Sequence, residues 1–249
     1  MIDPHPLEGK TVLITGGAVR LGAMSARFLH AAGAHVVIHY RSSSAAAEAL
    51  RDELEAARAG SVTLVQGDLL DFDALPRFVA RAVEATGALD ILLNNASNYF
   101  PTPLETVTEA QWESLFGVNA KAPFFLSREA APHLRARGGC IINMVDIHAE
   151  RPNPGYPVYS MAKAANAMMV KALARELAPH VRVNGVAPGA ILWPEGETGE
   201  QSKAQALPRI PLGRAGTPEH IARTVLFLAS TDYITGQIIA VDGGRSIQQ

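Results

Sequence analysis

The stretch that decides the fold is Thr11-Val12-Leu13-Ile14-Thr15-Gly16-Gly17-Ala18-Val19-Arg20-Leu21-Gly22. Its first part, residues 11–15, is β-branched and mostly apolar, which is typical of a buried parallel strand. Helical periodicity begins at about residue 20, directly after the glycines. Glycine lets the backbone approach a pyrophosphate, and a helix N-terminus attracts anions. The stretch therefore predicts a strand, a phosphate-binding turn and a helix.

The same alternation continues along the chain. We predict strands at 11–15, 35–39, 62–66, 91–94, 140–145, 181–187 and 238–242, and helices at 20–32, 44–58, 71–86, 108–136 with a break, 156–178 and 217–229. This order indicates βαβ units and an α/β fold, with a doubly wound seven-stranded parallel sheet and helices on both faces. Residues 192–208 show little periodicity, so we expect a substrate-covering loop there, at about 192–208.

The composition excludes several classes of function. The chain has 249 residues, 48% hydrophobic and 18% charged, with a formal net charge of −2. A net charge near zero disfavours a general nucleic-acid or membrane-surface role. With no signal-like segment near the N-terminus and no apolar run long enough to cross a bilayer, a cytoplasmic location is expected. The histidines lack metal-ligand spacing, so no metal site is predicted.

Three residues suggest proton chemistry. Tyr159 and Lys163 are four residues apart on a predicted helix, so their side chains point the same way. We expect the Lys ammonium to favour the ionised phenol and to make Tyr159 a better proton relay. Asp146 lies thirteen residues before Tyr159. A carboxylate repels the alkoxide that forms when a ketone accepts hydride, whereas it suits a nitrogen heterocycle with N–H donors.

The end of the second predicted strand governs the choice of cofactor. An enzyme that uses NAD usually has Asp or Glu there to bind the ribose hydroxyls. This chain has His39-Tyr40-Arg41-Ser42-Ser43 instead, with no acid. Arg41 can pair with a ribose phosphate and Ser42 can donate to it, so NADPH is predicted over NADH.

Together these motifs resemble the short-chain dehydrogenase/reductase family over essentially residues 8–245, and within it the pteridine reductase branch. In that family Tyr159 and Lys163 form the proton-transfer unit, while most members have Ser in place of Asp146 and Gly in place of Arg20. The pteridine reductases share both the acid and the arginine. The resemblance implies a single NADP-binding Rossmann domain over residues 1–249 and a homotetramer built on the helices around 119–136 and 156–178.

The resemblance also implies a cofactor site. Lys163 is expected to bind the nicotinamide ribose, and Asp68 to lie near the adenine amine, although a helix N-cap explains Asp68 nearly as well. The implied cofactor residues are Gly16, Arg20, Leu21, Gly22, Tyr40, Arg41, Ser42, Asp68, Leu69, Asn95, Ala96, Ser97, Lys163, Pro188 and Gly189.

An aromatic segment follows the fourth predicted strand. A loop aromatic at this place, Tyr99, suits stacking on a flat ring, whereas Phe100 fits packing on the sheet edge better. The resemblance implies that Ser97 bonds a pterin, and the branch more often has Phe at the Tyr99 position. Trp193 either walls the pterin side chain or packs against the lid. The implied substrate residues are Arg20, Ser97, Tyr99, Asp146, Tyr159, Leu192 and Trp193.

The implied reaction is NADPH-dependent reduction of a 7,8-dihydropterin, of the dihydrobiopterin, dihydromonapterin or dihydrofolate type, to the tetrahydropterin. The implied catalytic residues are Asp146, Tyr159, Lys163 and Asn119, the last holding a water for proton relay. One alternative is a carbonyl reductase of the 3-oxoacyl type, which Asp146 opposes. Another is a non-catalytic NADPH-binding protein, which the complete catalytic set opposes. Residues 147–154 do not follow the pteridine reductase pattern.

Overall fold

The computed structural model describes residues 5–193 and 197–248. Seven strands form one sheet in the order β3-β2-β1-β4-β5-β6-β7, and every neighbouring pair is parallel. The strands are β1 (Thr11–Ile14), β2 (His35–Tyr40), β3 (Val62–Gln66), β4 (Ile91–Asn94), β5 (Cys140–Met144), β6 (Arg182–Pro188) and β7 (Ile238–Val241). The predicted α/β fold with its doubly wound sheet is confirmed.

The predicted helices are all present, and α7 is an additional one. They are α1 (Arg20–Ala31), α2 (Ser44–Ala57), α3 (Leu75–Thr86), α4 (Glu109–Phe116), α5 (Ala122–Arg137), α6 (Pro157–Leu177), α7 (Glu197–Ala206) and α8 (Pro218–Ser230). The break predicted within 108–136 is a π-helical turn, Gly117–Lys121, between α4 and α5. Within the described ranges, no helix is long and apolar enough to cross a membrane.

The substrate-covering loop expected at about 192–208 is helical from Glu197 onward, so the expectation of an irregular conformation is wrong there, while its substrate-covering role stays a prediction. Residues Glu197–Ala206 form α7, and a 3₁₀ turn, Leu207–Arg209, follows it. The sequence of α7, ETGEQSKAQA, is rich in good helix formers but has no large apolar residue. Periodicity therefore gave no signal for it. Residues 194–196 of the expected loop lie outside the described residues.

The sheet is buried between two apolar layers. Because side chains alternate along a strand, Val12 and Ile14 of β1 face one layer and Leu13 faces the other. The first layer is completed by α1, α2 and α8, and the second by α3, α5 and α6. Each fully buried Leu or Ile contributes about 2 kcal/mol from apolar burial.

The sheet topology fixes where a ligand can bind. Strand β1 lies between β2 and β4, so the strand order reverses there. In doubly wound sheets the crevice at such a reversal, beyond the carboxyl ends of the strands, binds the ligand. The predicted site residues lie at or just after the carboxyl ends of β1 to β6, in the first turn of α1, on α6 or in the π-helical turn.

Candidate active site

The glycine-rich turn after β1 fits a dinucleotide phosphate. A Cβ at Gly22 would lie 2.2 Å from the Gly16 carbonyl oxygen, and Gly16 itself has a left-handed φ of 59°. Helix α1 starts after Val19, which provides no side-chain cap, and its first turn has no acidic residue. The N-terminal amides of α1 are therefore available to an anion. This uncapped terminus beside glycines that tolerate no side chain fits a pyrophosphate.

Arg20 has an unusual backbone conformation. Its φ is 53°, and it is the one residue other than glycine with a positive φ in the part of the chain that the structure describes. The left-handed conformation costs a residue with a side chain about 1–2 kcal/mol. The backbone at position 20 thus keeps a conformation that suits glycine. The Arg20 side chain is exposed at the start of α1.

Two polar residues that hold this turn were not among the predicted site residues. The Thr15 hydroxyl accepts hydrogen bonds from the backbone N–H groups of Asn95 (2.9 Å) and Ala96 (3.0 Å). The Asn95 amide in turn donates to the carbonyl oxygens of Thr15 and Gly16, at 2.9 and 3.0 Å. Asn95, predicted to bind cofactor, therefore has its side-chain donor committed to the phosphate turn.

His39 is the second of these residues. Its Nδ1 lies 3.3 Å from the Gly16 N–H and its Nε2 lies 3.2 Å from the Gly67 carbonyl oxygen. The ring must carry its proton on Nε2 to satisfy both contacts. Burial lowers the pKa of His39 to about 4, so the ring is neutral at physiological pH. His39 thus ties the turn after β1 to the end of β3. In the sequence, the feature that could have indicated this role is a polar residue near the end of the mostly apolar strand β2.

The ends of β2 and β3 present the other predicted cofactor residues. Arg41 and Ser42 are exposed directly after β2, and Tyr40, half-buried, packs on the core. Asp68 does not cap a helix, so that alternative is wrong. Its carboxylate accepts the Leu70 N–H at 2.9 Å within a turn that precedes the next 3₁₀ helix. The predicted contact of Asp68 with adenine, beside the buried Leu69, stays a prediction.

Asp146 and Tyr159 form the centre of the site. The Tyr159 hydroxyl donates to Asp146 Oδ2 at 2.7 Å. The other carboxylate oxygen, Oδ1, accepts the His148 N–H at 2.8 Å, where Asp146 caps a short 3₁₀ turn after β5. Tyr159 is in the first turn of α6, which begins at Pro157. The two carboxylate oxygens of Asp146 therefore have different partners, and these fix the orientation of the side chain.

The surroundings of Tyr159 determine its protonation state. Burial raises the pKa of Tyr159 well above its ordinary value, and the charge and hydrogen bond of Asp146 raise it further. Lys163 donates to the Met144 carbonyl oxygen at 2.9 Å, and burial lowers its pKa to about 8. The phenol is therefore held in its protonated form, because burial and the neighbouring carboxylate both favour that form. The predicted influence of Lys163 on Tyr159 stays a prediction.

Asn119 lies buried in the π-helical turn and organises the neighbouring loop. Its amide donates to the carbonyl oxygens of Asn98 and Leu115, both at 2.9 Å. Its Oδ1 accepts the Ser97 hydroxyl at 2.6 Å, and its backbone oxygen accepts the Asn166 amide at 2.7 Å. The side chain thus positions Ser97 beside Tyr159. The predicted water-holding role of Asn119 stays a prediction.

The aromatic segment after β4 lies against Tyr159. The ring of Tyr99 stacks on Tyr156, with centroids 4.5 Å apart and planes 9° apart, and meets Tyr159 edge-on at 4.7 Å. Tyr99 is still 52% exposed, so much of the ring remains open. Phe100 packs against the buried cluster of Leu115 on α4 and Val158 on α6, so the expected packing on the sheet edge is wrong.

The end of β6 completes the site. Pro188 is the last residue of β6, and a Cβ at Gly189 would lie 2.5 Å from the Asp242 side chain, so the turn passes close to the end of β7. Leu192 is 40% exposed, and Trp193 is half-buried. Their predicted roles against the substrate stay predictions.

Comparisons with known proteins show which family this chain belongs to. Residues 17–246 match the family model described as enoyl-(acyl carrier protein) reductase. The chain is 37% identical to the 3-oxoacyl-(acyl-carrier-protein) reductase of Thermotoga maritima, over 97% of this chain and 99% of that protein. It is also 37% identical to a versicolorin reductase of Emericella nidulans, over 97% of each chain, and to an uncharacterised oxidoreductase of Methylorubrum extorquens, over 96% of this chain and 98% of that protein. The chain therefore belongs to the short-chain dehydrogenase/reductase family and is an oxidoreductase of the kind that uses a nicotinamide cofactor.

Proposed function

We propose that this oxidoreductase uses NADPH to reduce a carbon–nitrogen double bond of a 7,8-dihydropterin. The observation that carries the proposal is the 2.7 Å hydrogen bond from the Tyr159 phenol to the Asp146 carboxylate. A carboxylate here can accept N–H groups of a heterocycle, but it disfavours new negative charge on a substrate oxygen. The pteridine reductase resemblance, carried by Arg20, Ser97 with Tyr99, and Asp146, supports the same substrate class.

The cofactor would be held by residues already described. The open amides of α1 and the side chain of Arg20 suit the pyrophosphate, and Arg41 with Ser42 suits a ribose phosphate, which supports NADPH. Lys163 lies 5.7 Å from the centre of the Tyr159 ring, within the same site, where it suits the nicotinamide ribose. When bound, NADPH supplies the hydride.

Residues of the site supply the proton that the reaction needs. Because burial and Asp146 hold the pKa of Tyr159 high, its phenol stays protonated at physiological pH. It can therefore pass a proton to the ring nitrogen that needs one, directly or through water. Lys163, whose pKa burial lowers to about 8, returns a proton to the phenol through water, so that no phenolate persists beside Asp146. Asp146 accepts an N–H of the same ring and so fixes the orientation of the substrate. The exposed face of Tyr99 offers a stacking surface.

A second candidate is reduction of the ketone of a 3-oxoacyl thioester. The names of the relatives favour this candidate more than they favour pterin reduction. The site opposes it, because an alkoxide would form beside the Asp146 carboxylate. Two unit charges about 4 Å apart repel by about 4 kcal/mol at an effective dielectric constant near 20.

The proposal includes three further properties predicted from the sequence: a single cofactor-binding domain, a cytoplasmic location and a homotetramer. An apolar groove of about 400 Å³ between α5 and α6, with Phe124 and Met168 exposed on it, supports the assembly through these helices. Sedimentation equilibrium would measure the mass of the assembly.

Isotope transfer tests the proposed reaction. The protein would be incubated with 7,8-dihydrobiopterin and NADPH deuterated at the transferring carbon. We expect a tetrahydropterin one mass unit heavier than the unlabelled product. An unreduced pterin, together with a labelled alcohol from an acetoacetyl thioester, would replace the proposal with the second candidate.

A further inference from the structure

Asn153 connects an unusual loop to the substrate site. It lies in residues 147–154, the segment that departs from the pteridine reductase pattern. Its side-chain amide donates to the Tyr99 hydroxyl at 3.1 Å. Its backbone is fixed at the start of α6, because its carbonyl oxygen accepts the Tyr156 N–H at 3.0 Å. Asn153 therefore joins Tyr99 to the helix that carries Tyr159.

The hydroxyl of Tyr99 completes a set of contacts that orient its ring. One face of the ring is covered by Tyr156 in a nearly parallel stack, and an edge contact joins it to Tyr159. A backbone bond of 2.8 Å from the Thr102 N–H to the Gly155 carbonyl oxygen ties the same two loops together. A Phe at position 99 keeps the ring but loses the bond to Asn153. The hydroxyl that the branch more often lacks thus has a hydrogen-bond partner in the segment that departs from the branch pattern.

We propose that Asn153 is a positioning residue that holds Tyr99 parallel to Tyr156, so that the open face of Tyr99 is preorganised to bind a planar heterocycle. The identity of that heterocycle as a pterin rests on the proposed function. Fixing a ring in its binding orientation before the ligand arrives raises affinity, because less side-chain entropy is lost on binding.

The energy of the Asn153–Tyr99 hydrogen bond sets the size of the expected effect on pterin affinity. A neutral hydrogen bond that orders one ring is worth about three- to tenfold in affinity. Tyr99→Phe and Asn153→Ala each remove one partner of the same bond. Their effects on pterin affinity are therefore not additive. The double variant binds pterin no more weakly than the single variant with the lower affinity.

The experiment is a fluorescence titration of pterin into the protein preloaded with NADP⁺. We expect Tyr99→Phe and Asn153→Ala each to raise the Kd for pterin about three- to tenfold, and the double variant to match them. Asn153→Asp should restore much of the affinity, because the Tyr99 phenol can donate to a carboxylate. Arg151→Ala is the matched control, since Arg151 belongs to the same segment but bonds the Gln248 carbonyl oxygen. Its Kd should equal that of the unmodified protein.

The outcomes separate this inference from the proposed function. Equal affinity in all variants, additive losses in the double variant, or no pterin binding by the unmodified protein would overturn the role of Asn153. If the protein reduces dihydropterins while the variants bind pterin normally, only this inference fails. If the variants lose affinity but no dihydropterin is reduced, the role of Asn153 stands and the proposed function fails. Thermal unfolding at an unchanged temperature excludes loss of folding as the cause.

Discussion

Replacing Asp146 by Ser separates the chemical role of the carboxylate from its structural role. Asp146 caps a short 3₁₀ turn through the His148 N–H and accepts the Tyr159 phenol through its other oxygen. Ser is as good an N-cap as Asp, so the cap is retained and the unfolding free energy should change by less than about 1 kcal/mol. The shorter and neutral Ser side chain removes only the charged partner of Tyr159.

The magnitude follows from the hydrogen bond that the Asp146 carboxylate would accept from an N–H of the substrate ring. A hydrogen bond to a charged group is worth about 1.5–3 kcal/mol, which is about 10- to 150-fold in kcat/KM. The pKa of Tyr159 should fall toward its ordinary value, because one of the causes that raise it is removed. We therefore expect kcat/KM for dihydropterin to fall in this range, while reduction of an acetoacetyl thioester is retained or improves.

The assay measures steady-state rates with both substrates, together with the Kd for NADPH. The expected result is a selective loss of pterin reduction with unchanged NADPH binding. Asp146→Asn is the companion variant, since it keeps the shape of the side chain but not its charge, and it should show the same selectivity. Parallel loss of pterin reduction and NADPH affinity in Asp146→Ser would refute the reasoning and make Asp146 a structural residue.

Three further predictions address the cofactor site. Arg41→Ala should raise the KM for NADPH about 10- to 100-fold and leave the KM for NADH nearly unchanged, because a charge-assisted bond to the ribose phosphate is lost; equal effects on both would contradict the cofactor assignment. Gly22→Ala should weaken NADPH binding at least about tenfold and lower the unfolding free energy by about 1–3 kcal/mol, because the new Cβ would lie 2.2 Å from the Gly16 carbonyl oxygen. Calorimetry measures the binding and urea unfolding measures the stability. Normal values for both would contradict the close approach of the two residues. The pKa of His39 is lowered by burial from 6.5 to about 4, so the unfolded chain binds more protons in that window and stability is lost as the pH falls through it. Urea unfolding at pH 7 and pH 5 should show a loss that is smaller in His39→Gln by on the order of 2 kcal/mol. His30 and His35, whose pKa values burial also lowers, contribute to the loss in both proteins, and an equal loss in the two would place the effect elsewhere.

The strands were predictable because they are short and mostly apolar. The five inner strands are buried on both faces, so their sequences are runs of consecutive apolar residues. All seven observed strands begin and end within one residue of the predicted bounds. Helix α7 was not predictable in this way, since a helix with no large apolar residue has no periodic signal.

The site was predictable where its residues are close in sequence and less so where it depends on distant contacts. Tyr159 and Asp146 were both identified, but the direction of the Tyr159 pKa depends on burial, which the sequence does not contain. The bond of His39 to Gly16 spans 23 residues and that of Asn153 to Tyr99 spans 54. Such contacts follow from the arrangement of whole loops and strands, and no local pattern encodes them.

The most direct test of the central claim is the rate of NADPH oxidation by the purified protein with four substrates offered separately. These are 7,8-dihydrobiopterin, dihydromonapterin, dihydrofolate and an acetoacetyl thioester. The account predicts turnover of at least one dihydropterin and none of the thioester, with the rank order naming the preferred pterin. Turnover of the thioester alone would contradict the proposed function and would make the protein a ketone reductase, as the names of its 3-oxoacyl-(acyl-carrier-protein) reductase relatives suggest.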